Sequence, residues 1–501
     1  MYRSKKFYVF LLIILVLFIA GFSLITFKIK NNALDNEVSS NIETIKVSNK
    51  TLNGFTISWD DPEDMSNVSE YKVYLDNNLV SVQKEKSYIF DNLDNLNKYN
   101  VKIETISDTQ EVINVKEVNS ISTAKEISNI KEDTVFPEGT YYLKSDIPEN
   151  ITVVFEAGSE ITLNSIVTEI KGTLKVEGTN EKRSTIKSGA YSIEAAETGS
   201  IDISGTDIEL IGASYKAGAI IARGGKIKLD NVISEDDRKA NVITYDAKEV
   251  EITNSELIKV QIENKADNGE NRVKINSNKI MTIVYTPNKN SIAEIKNNVG
   301  RGGASKLEIA LNNGAPDNIF ENIEGNSLEN ENGMKIKIKS FPVNNKEMYL
   351  KGEKYEIATS ELLENSNVVF EAGSQITLNS IVTEIKGTLK VEGTNEKRSI
   401  IKIGTYSIEA AETGSIDISG TDIDIRGEAY GVGTIISRGG KIKLDNITSE
   451  DNRKANVITY DAKEVEITNS ELIKVQIENK ADNRENRVKI NSNKIMTIVY
   501  T

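Results

Sequence analysis

The sequence predicts an all-β chain: a long right-handed parallel β-helix, or solenoid, preceded by a β-sandwich and one N-terminal transmembrane helix. Three observations predict this fold. A large segment is repeated almost unchanged, short β-branched segments recur at a finer spacing inside it, and one long apolar run lies near the N-terminus. Residues 1–30 hold the apolar run, 31–41 a polar linker, 42–125 the sandwich and 126–501 the solenoid.

The large repeat covers most of the predicted solenoid. VVFEAGSEITLNSIVTEIKGTLKVEGTNEKRS begins at Val153 and returns with one change at Val368, an offset of 215 residues that holds to Thr286 and Thr501. We call residues 137–351 copy one and residues 352–501 copy two, which is incomplete by comparison. Such closeness indicates recent duplication, which is common in repeat arrays. We expect residues 287–351 to continue the solenoid between the matching stretches.

A finer period lies inside each copy. The segments GTLKVEG, GSIDISG, GKIKLDN, EVEITNS and RVKINSN share the order apolar, any residue, apolar, then polar or small, and their first apolar residues are Leu174, Ile201, Ile227, Val250 and Val273. This spacing suits one turn of a parallel β-helix, in which equivalent apolar side chains stack from coil to coil. Amphipathic helices would need a period of about 3.6 residues, which the segments lack. Small or amide residues then fall at corners that favour positive φ: Gly178, Gly205, Asn231, Asn254 and Asn276.

The N-terminal run Phe7–Phe27 is uncharged and long enough for a helix to cross a membrane, which takes about 20 residues. Arg3, Lys5 and Lys6 precede it, and positive charge favours the cytoplasmic side. We therefore expect a single-pass anchor in the cell membrane, with the bulk of the chain extracellular. A cleaved signal peptide is the alternative, although its apolar core would be shorter. Both readings export the rest of the chain.

Residues 42–125 contain segments in which apolar and polar residues alternate, as in half-buried strands: FTISW, YKVYL and YNVKI. Trp59 is followed by Asp60-Asp61-Pro62, and Leu93 stands six residues before Tyr99. In these features the segment resembles a fibronectin type III domain. The resemblance implies that Trp59 lies in the core, that the Tyr99 hydroxyl bonds back to the chain in a tyrosine corner, and that the domain spaces or presents other domains. The family's usual proline after the leucine is absent, and Asn95 stands in its place.

The stretch from Phe136 to Gly189 carries a second resemblance. PEGTYYLKSDI has the form of an N-terminal cap strand, and VVFEAGSEITL with IKGTLKVEGTNEKRSTIKSG has the form of opening coils. These segments resemble the bacterial right-handed parallel β-helix proteins of the pectin-lyase-like superfamily. The resemblance implies the fold of the C-terminal part of the chain, whereas a fold does not fix an activity.

The composition excludes several function classes. The chain has no Cys and no His, so it forms neither disulfides nor a Cys/His zinc site, and it lacks the commonest general base. Its formal net charge of −14 argues against nucleic acid as a partner, because an acidic surface repels phosphate backbones. No cofactor is predicted, with calcium left open.

Two sets of residues recur at equivalent places in the two copies and are candidates for binding. A row of tyrosines along one face would form a shallow groove for a glycan, although tyrosines equally fill corners of a coil. Outward aspartates on consecutive coils could align and hold calcium, although alternating strands place polar residues outward in any case. The tyrosines are Tyr191, Tyr215, Tyr245, Tyr406, Tyr430 and Tyr460, and the aspartates are Asp202, Asp207, Asp230, Asp417, Asp422 and Asp445.

An enzyme is the alternative, since the superfamily includes enzymes that cleave acidic polysaccharides. Its hydrolases combine Asp with His, and this chain has no His. The pair Asp236-Asp237 could divide acid and base roles, but copy two has Asp451 and Asn452 instead. The triplets Arg272-Val273-Lys274 and Arg487-Val488-Lys489 resemble a basic substrate-binding motif and equally suit the solvated face of a strand.

Together these features predict a non-catalytic protein, displayed on the cell surface, for adhesion or binding to polysaccharide or to a host or cell-wall matrix. The alternative is a polysaccharide lyase or glycoside hydrolase acting on acidic glycans, and a third reading is a structural stalk. Duplication of the whole scaffold favours binding, because a single active site gains nothing from it. Copy two stops at Thr501, the counterpart of Thr286, so we expect a fragment or an end that a partner protects.

Overall fold

The computed structural model of the protein describes residues 45–501, apart from 62–66, 95–96, 164–166, 188–191, 210–219, 235–240, 267–268, 302–304, 312–314, 317, 329–334, 342, 344–346, 379–381, 403–406, 425–434, 450–455 and 481–484. The regular secondary structure assigned among these residues consists of β-strands. Within this described part, no helix has the length and apolarity to cross a membrane. The predicted membrane helix, Phe7–Phe27, lies outside the described residues.

The chain divides into two compact units, with the boundary between Ala124 and Lys125. In the first unit the strands form two antiparallel sheets, ordered β1-β2-β5 and β4-β3-β6-β7. Their bounds are β1 (Lys46–Thr51), β2 (Gly54–Ser58), β3 (Val68–Leu75), β4 (Asn78–Gln83), β5 (Ser87–Phe90), β6 (Lys98–Ser107) and β7 (Val112–Ser122).

One buried cluster in the first unit draws side chains from both sheets. Phe55, Ile57 and Trp59 are buried together because alternate residues of an extended segment point the same way. The Trp59 ring meets Tyr71 edge-on, with ring centroids 5.4 Å apart, which confirms Trp59 as a core residue. The Tyr99 hydroxyl donates to the Asp94 carbonyl at 3.0 Å and accepts from the Asp94 amide at 2.8 Å, so the predicted tyrosine corner is also confirmed.

The second unit is a stack of short strands. In copy one and the residues before it they are β8 (Lys125–Ile127), β9 (Thr134–Phe136), β10 (Thr140–Leu143), β11 (Thr152–Phe155), β12 (Glu160–Leu163), β13 (Val167–Ile170), β14 (Thr173–Glu177), β15 (Ser184–Lys187), β16 (Ser192–Ala195), β17 (Ser200–Ser204), β18 (Thr206–Glu209), β19 (Ile220–Arg223), β20 (Lys226–Asp230), β21 (Val242–Tyr245), β22 (Glu249–Thr253), β23 (Glu256–Glu263), β24 (Asn271–Asn276), β25 (Lys279–Thr286), β26 (Ser291–Lys296), β27 (Val299–Gly300), β28 (Lys306–Ala310), β29 (Ile323–Glu324), β30 (Ser327–Leu328), β31 (Lys335–Ser340) and β32 (Glu347–Leu350). In copy two they are β33 (Lys354–Ile357), β34 (Glu361–Leu362), β35 (Asn367–Phe370), β36 (Gln375–Leu378), β37 (Val382–Ile385), β38 (Thr388–Glu392), β39 (Ser399–Lys402), β40 (Ser407–Ala410), β41 (Ser415–Ser419), β42 (Thr421–Asp424), β43 (Ile435–Arg438), β44 (Lys441–Asp445), β45 (Val457–Tyr460), β46 (Glu464–Thr468), β47 (Glu471–Glu478), β48 (Arg487–Asn491) and β49 (Lys494–Tyr500).

These strands pair in parallel and form five sheets, which we name S1 to S5. Most successive strands of the chain fall in different sheets, so each coil contributes to several sheets in turn, as in a parallel β-solenoid. The sheets are S1, β8-β10-β12-β15-β18; S2, β9-β11-β14-β17-β20-β22-β24-β26-β29; S3, β13-β16-β19-β21-β23-β25-β28-β31-β33-β36-β39-β42 with β27 and β30 at its side; S4, β32-β35-β38-β41-β44-β46-β48; and S5, β34-β37-β40-β43-β45-β47-β49. The parallel β-solenoid is therefore confirmed. Its right-handed sense stays a prediction, which rests on the general handedness of parallel crossovers.

The predicted apolar column runs through S2. Leu174, Ile201, Ile227, Val250 and Val273 are direct register partners on consecutive strands, and each is at most 3% exposed. They belong to a continuous buried cluster that extends from Ile127 to Ile477. Burial of apolar area on this scale is the main force that holds the coils together.

The predicted corners are correct at three of five positions. Gly205, Asn231 and Asn254 have positive φ, whereas Gly178 and Asn276 do not. β24 continues through Asn276, and the positive φ falls on Ser277 instead. At Gly205 the need for glycine is also steric, because an added Cβ would lie 2.4 Å from the backbone of Gly178.

Three buried asparagines on successive coils form a hydrogen-bonded ladder inside the solenoid, at a corner next to the strand ends. Asn278 Nδ2 donates to Asn298 Oδ1 at 3.0 Å, and Asn298 Nδ2 donates to Asn326 Oδ1 at 2.9 Å. Each amide also donates to a backbone carbonyl of a neighbouring coil, at Ile252, Ile275 and Ile295. The ladder satisfies buried backbone groups where the turn interrupts sheet pairing.

The two copies are not joined in phase. The strands of copy one that lie in S1, such as β10 and β12, have counterparts in copy two, β33 and β36, that lie in S3. S3 is continuous across the junction, because β31 pairs with both β28 and β33. Likewise the counterparts of S2 strands lie in S4, and those of the early S3 strands lie in S5. Equivalent surfaces of the two copies therefore belong to different sides of the solenoid.

Candidate binding surface

One outward cluster combines a predicted tyrosine with charged side chains. On S3, Arg223 is the register partner of Tyr245, which is the partner of Glu263 on the next coil. These residues point away from the interior because they alternate with the buried residues Ala222 and Ile262. We call Glu194, Arg223, Tyr245 and Glu263 cluster one.

Arg223 links Glu194 to Tyr245 within cluster one. Its Nε donates to Glu194 Oε1 at 2.8 Å, and its guanidinium lies 5.0 Å from the centroid of the Tyr245 ring. The side chain of Arg223 is nevertheless 51% exposed. A guanidinium held between a carboxylate and an aromatic face retains free edges for further hydrogen bonds, while its orientation is already fixed.

Glu263 carries its own partners at the far end of the cluster. It accepts a hydrogen bond from Gln261 Nε2 at 2.8 Å and lies 2.9 Å from Lys265 Nζ. The bond to Glu263 raises the pKa of Lys265, so this lysine is charged at neutral pH. Cluster one therefore presents both cationic donors and anionic acceptors next to an aromatic ring.

An apolar pair supports the tyrosine from below. Ile221 and Ile243 point outward by strand register, yet they are 4% and 0% exposed, and Tyr245 packs against them in a cluster separate from the solenoid core. Packing of the ring on these side chains limits its rotamers. In copy two, Ile436 and Ile458 are buried at the same positions.

Copy two reproduces the arrangement as cluster two, defined by Glu409, Arg438, Tyr460 and Glu478. Arg438 Nε lies 3.0 Å from Glu409 Oε1, and its guanidinium lies 4.8 Å from the Tyr460 centroid. Gln476 Nε2 donates to Glu478 at 2.6 Å. Hydrogen bonds from Lys480 and from this glutamine lower the pKa of Glu478, which therefore stays ionised.

The structure describes two of the six predicted tyrosines. Tyr245 and Tyr460 occupy the two clusters. The other four lie outside the described residues, so their place in a row stays a prediction: Tyr191, Tyr215, Tyr406 and Tyr430. The pair Asp236-Asp237 of the enzyme hypothesis also lies outside the described residues.

The predicted aspartates do not form a row, and two of them lie between lysines. Asp202 lies between Lys175 and Lys228 in the register of S2, and its counterpart Asp417 lies between Lys390 and Lys443. Burial raises the pKa of Asp417, although Lys443 and Lys390 oppose this shift. These residues form rungs of alternating charge along the solenoid rather than a row of carboxylates.

The remaining aspartates bind donors of the protein itself. Asp207 accepts from Arg183 Nε at 2.8 Å, and Asp230 accepts from Thr253 Oγ1 at 2.7 Å and Asn254 Nδ2 at 2.8 Å. Asp422 and Asp445 have the same kinds of partner in copy two. Within the described residues, no group of three or more carboxylates is placed to hold a metal ion. Calcium binding thus stays a prediction without a ligand set.

Sequence reasoning did not single out the arginines. Arg223 and Arg438 recur at the same offset as the tyrosines, and each precedes a Gly-Gly corner, which was a usable signal. It also missed Arg183, which donates to Asp207 on one coil and to the carbonyl and side chain of Asn231 on another. Arg398 repeats this clamp, which braces neighbouring coils.

Comparison with known proteins bears mainly on the first unit. Residues 40–116 match the model of the fibronectin type III domain. A solved structure similar to this part is the central fibronectin III array of RIM-binding protein, at 14% identity, covering 16% of this chain and 36% of that chain with a TM-score of 0.14. No curated protein matches the chain.

Solved structures of pectin-degrading enzymes overlap most of the chain. The family 28 exopolygalacturonase of Yersinia enterocolitica is 9% identical, with 85% of this chain and 98% of that chain covered and a TM-score of 0.25. The pectate lyase PelI of Erwinia chrysanthemi, in complex with tetragalacturonic acid, is 13% identical, with 80% and 88% covered and a TM-score of 0.15. Scores this low say nothing of activity or ligand, so the function is argued from the clusters alone.

Proposed function

We propose that the protein is a non-catalytic surface protein that binds an uncharged polysaccharide through cluster one and cluster two. The observation that carries the proposal is the recurrence of an aromatic ring, a stacked arginine and flanking carboxylates in both copies, with matching distances. Surface arginines without such support are common, whereas an arginine fixed on an aromatic ring is typical of recognition sites.

The chemistry of the clusters suits sugar hydroxyl groups. Arg223 supplies donors, Glu194 and Glu263 supply acceptors, and a hydroxyl group both donates and accepts. The Tyr245 ring and its isoleucine support add an apolar edge for the C–H faces of a sugar. Because the arginine is fixed before binding, little conformational entropy is lost when it engages a ligand.

Charge favours an uncharged glycan over a polyanion. Each cluster contains two glutamates and one arginine, and the lysine beside it, Lys265 or Lys480, only balances the local charge. The whole chain carries a formal net charge of −14. A polyanion would be repelled by this field and by the carboxylates that flank the arginine. An uncharged glycan is repelled neither by the net charge of the protein nor by these carboxylates.

The remaining parts of the chain are proposed to display the solenoid. Phe7–Phe27 anchors it in the cell membrane as a single span, and residues 42–125 act as a fibronectin-type β-sandwich that spaces it from the bilayer. Protease treatment of intact cells that carry a C-terminal epitope tests this arrangement. We expect loss of the epitope without lysis, and an epitope that is cut only after lysis would contradict surface display.

Binding is tested with the full chain on immobilised galactomannan, xyloglucan and β-glucan, with polygalacturonate as the charged comparison. The double variant Arg223→Ala/Arg438→Ala should weaken binding at least about tenfold, as truncation of a central arginine does at other interfaces. Arg272→Ala/Arg487→Ala is the matched control, because these arginines also point outward from strands in both copies and pair next to glutamates. Equal losses in both double variants would contradict the proposal.

Catalysis is tested on the same samples. Polygalacturonate is incubated with the protein, with and without calcium, and assayed for unsaturated and reducing ends. We expect no release above a protein-free control. Release that scales with protein concentration would replace the binding proposal with the enzyme alternative.

A further inference from the structure

We infer that cluster one and cluster two bind two separate polysaccharide chains, so that a single protein molecule cross-links glycan strands. The inference rests on the proposed function and adds to it the geometry of binding. Its basis is the junction between the copies, which places the clusters on different sheets of one solenoid.

Cluster one lies wholly on S3, on strands β16, β19, β21 and β23. S3 continues beyond the cluster into copy two through β33, β36, β39 and β42. Cluster two lies on none of these strands. Its residues belong to β40, β43, β45 and β47, which form part of S5. A linear ligand that follows S3 from cluster one therefore passes along a different side of the solenoid from cluster two.

The S3 surface beyond cluster one is also unlike the clusters. The row that contains Ile221 and Ile243 continues through Gln261, Val284, Glu308 and Lys337. Glu308 binds Lys306 and Lys339, and Lys337 pairs with Glu356 at 3.1 Å. Among the residues that the structure describes along this stretch there are ion pairs but no ring–arginine stack, so they form no continuous binding surface for a glycan.

The distance between the clusters reinforces the separation. About nine inter-strand steps of about 4.8 Å lie between the coil of Tyr245 and that of Tyr460, on the order of 40 Å along the axis. One chain that reached both clusters would have to cross an edge of the solenoid on its way. Two chains meet no such constraint, and each is bound by one copy.

The experiment compares the wild type with two single-copy variants, Arg223→Ala/Tyr245→Leu and Arg438→Ala/Tyr460→Leu. Titration calorimetry of the full chain with short oligosaccharides from galactomannan should give two equivalent sites for the wild type and one for each variant. Retained strand content in circular dichroism confirms that the variants are folded. Two bead populations coated with galactomannan and labelled with different dyes should be joined by the wild type, whereas each variant should bind beads without joining them.

Three outcomes would overturn the inference. If one chain spans both clusters, each single-copy variant would lose polymer affinity far beyond twofold while its affinity for the short oligosaccharide stays unchanged, because avidity is lost. If self-association joins the beads, the single-copy variants would still join them. If the wild type binds no galactomannan, xyloglucan or β-glucan at all, the proposed function fails and the inference falls with it.

Discussion

The asparagine ladder allows a test of how burial affects stability, because the equivalent residue of copy two serves as an internal control. Asn278 is 2% exposed, and its side chain makes three bonds: from Nδ2 to the Ile252 carbonyl at 2.8 Å, from Nδ2 to Asn298 at 3.0 Å, and to its Oδ1 from the Ser255 amide at 2.8 Å. Substitution by alanine removes all three bonds and leaves the Ile252 carbonyl and the Ser255 amide without their side-chain partner, whereas Asn298 Oδ1 keeps a bond from the backbone amide of residue 278 at 3.1 Å. At about 1 kcal/mol for each of the three lost bonds, Asn278→Ala should lower the free energy of unfolding by about 3 kcal/mol.

The counterpart in copy two provides the comparison. Asn493 binds the Ile467 carbonyl at 2.7 Å and the Ser470 amide at 2.8 Å, but it is only partly buried. Water can replace its bonds after substitution, so Asn493→Ala should cost about 1 kcal/mol. The same substitution, in the same local sequence, thus differs by about 2 kcal/mol because of burial.

Guanidinium chloride denaturation of the full chain, followed by far-UV circular dichroism, measures both variants. Hydrogen exchange of the surrounding amides shows whether the loss is confined to the coils concerned. Equal destabilisation by the two substitutions would refute the reasoning, as would an Asn278→Ala protein as stable as the wild type.

Three further predictions follow from the ion pairs and from the first unit. Glu251 lies 2.8 Å from Lys274 and 3.8 Å from Lys228, so Glu251→Lys should cost about 1–2 kcal/mol through three adjacent lysines, and added salt should recover part of this loss in the same denaturation assay. Burial raises the pKa of Glu308, but hydrogen bonds from Lys306 and Lys339 outweigh it and leave the pKa lowered. Glu308→Gln should therefore be less stable than the wild type at neutral pH. In thermal unfolding at stepwise lower pH, the difference should shrink once the pH falls below the ordinary Glu pKa of about 4.3 and vanish below the lowered pKa of the folded state. Tyr99→Phe removes both bonds to Asp94 and should destabilise the first unit by about 1–2 kcal/mol, seen as an earlier transition in Trp59 fluorescence.

The solenoid core could be predicted because its physical cause is periodic. Leu174, Ile201 and Ile227 must face inward in every coil, so the spacing of apolar residues alone identifies register partners. The tyrosine corner at Tyr99 could be predicted for a similar reason, since a local bond to the chain leaves a short sequence pattern. Corners were predicted less well, because Asn276 and Ser277 are both acceptable turn residues and the neighbouring strand decides between them.

The candidate site was harder to predict, because outward residues are not periodic. Nothing in the sequence near Arg223 indicates that it reaches back to Glu194 and forward to Tyr245, which are 29 and 22 positions away. The aspartates misled for the same reason. Alternation placed Asp202 outward as expected, but its neighbours in register are Lys175 and Lys228 rather than further aspartates.

The phase shift at the junction was also beyond sequence reasoning. Copy one and copy two are nearly identical, so the sequence favours equal surroundings for equal residues. The shift arises between them, where β31 of the joining stretch pairs with β33. S3 therefore continues in copy two through the counterparts of S1 strands. The shift therefore lies in the stretch between residues 287 and 351, outside the segments that match between the copies.

The continuation of S3 through non-equivalent strands also has a consequence for the addition of further copies of the repeat. If a third unit were joined through the same kind of junction, its strands would again move to another sheet, and its surface would face a different side of the solenoid from the surface of copy two. Equivalent surfaces of tandem units would then be rotated about the solenoid axis from one unit to the next. Gain or loss of a unit by recombination would change the directions in which the solenoid presents its binding surfaces, and not only its length.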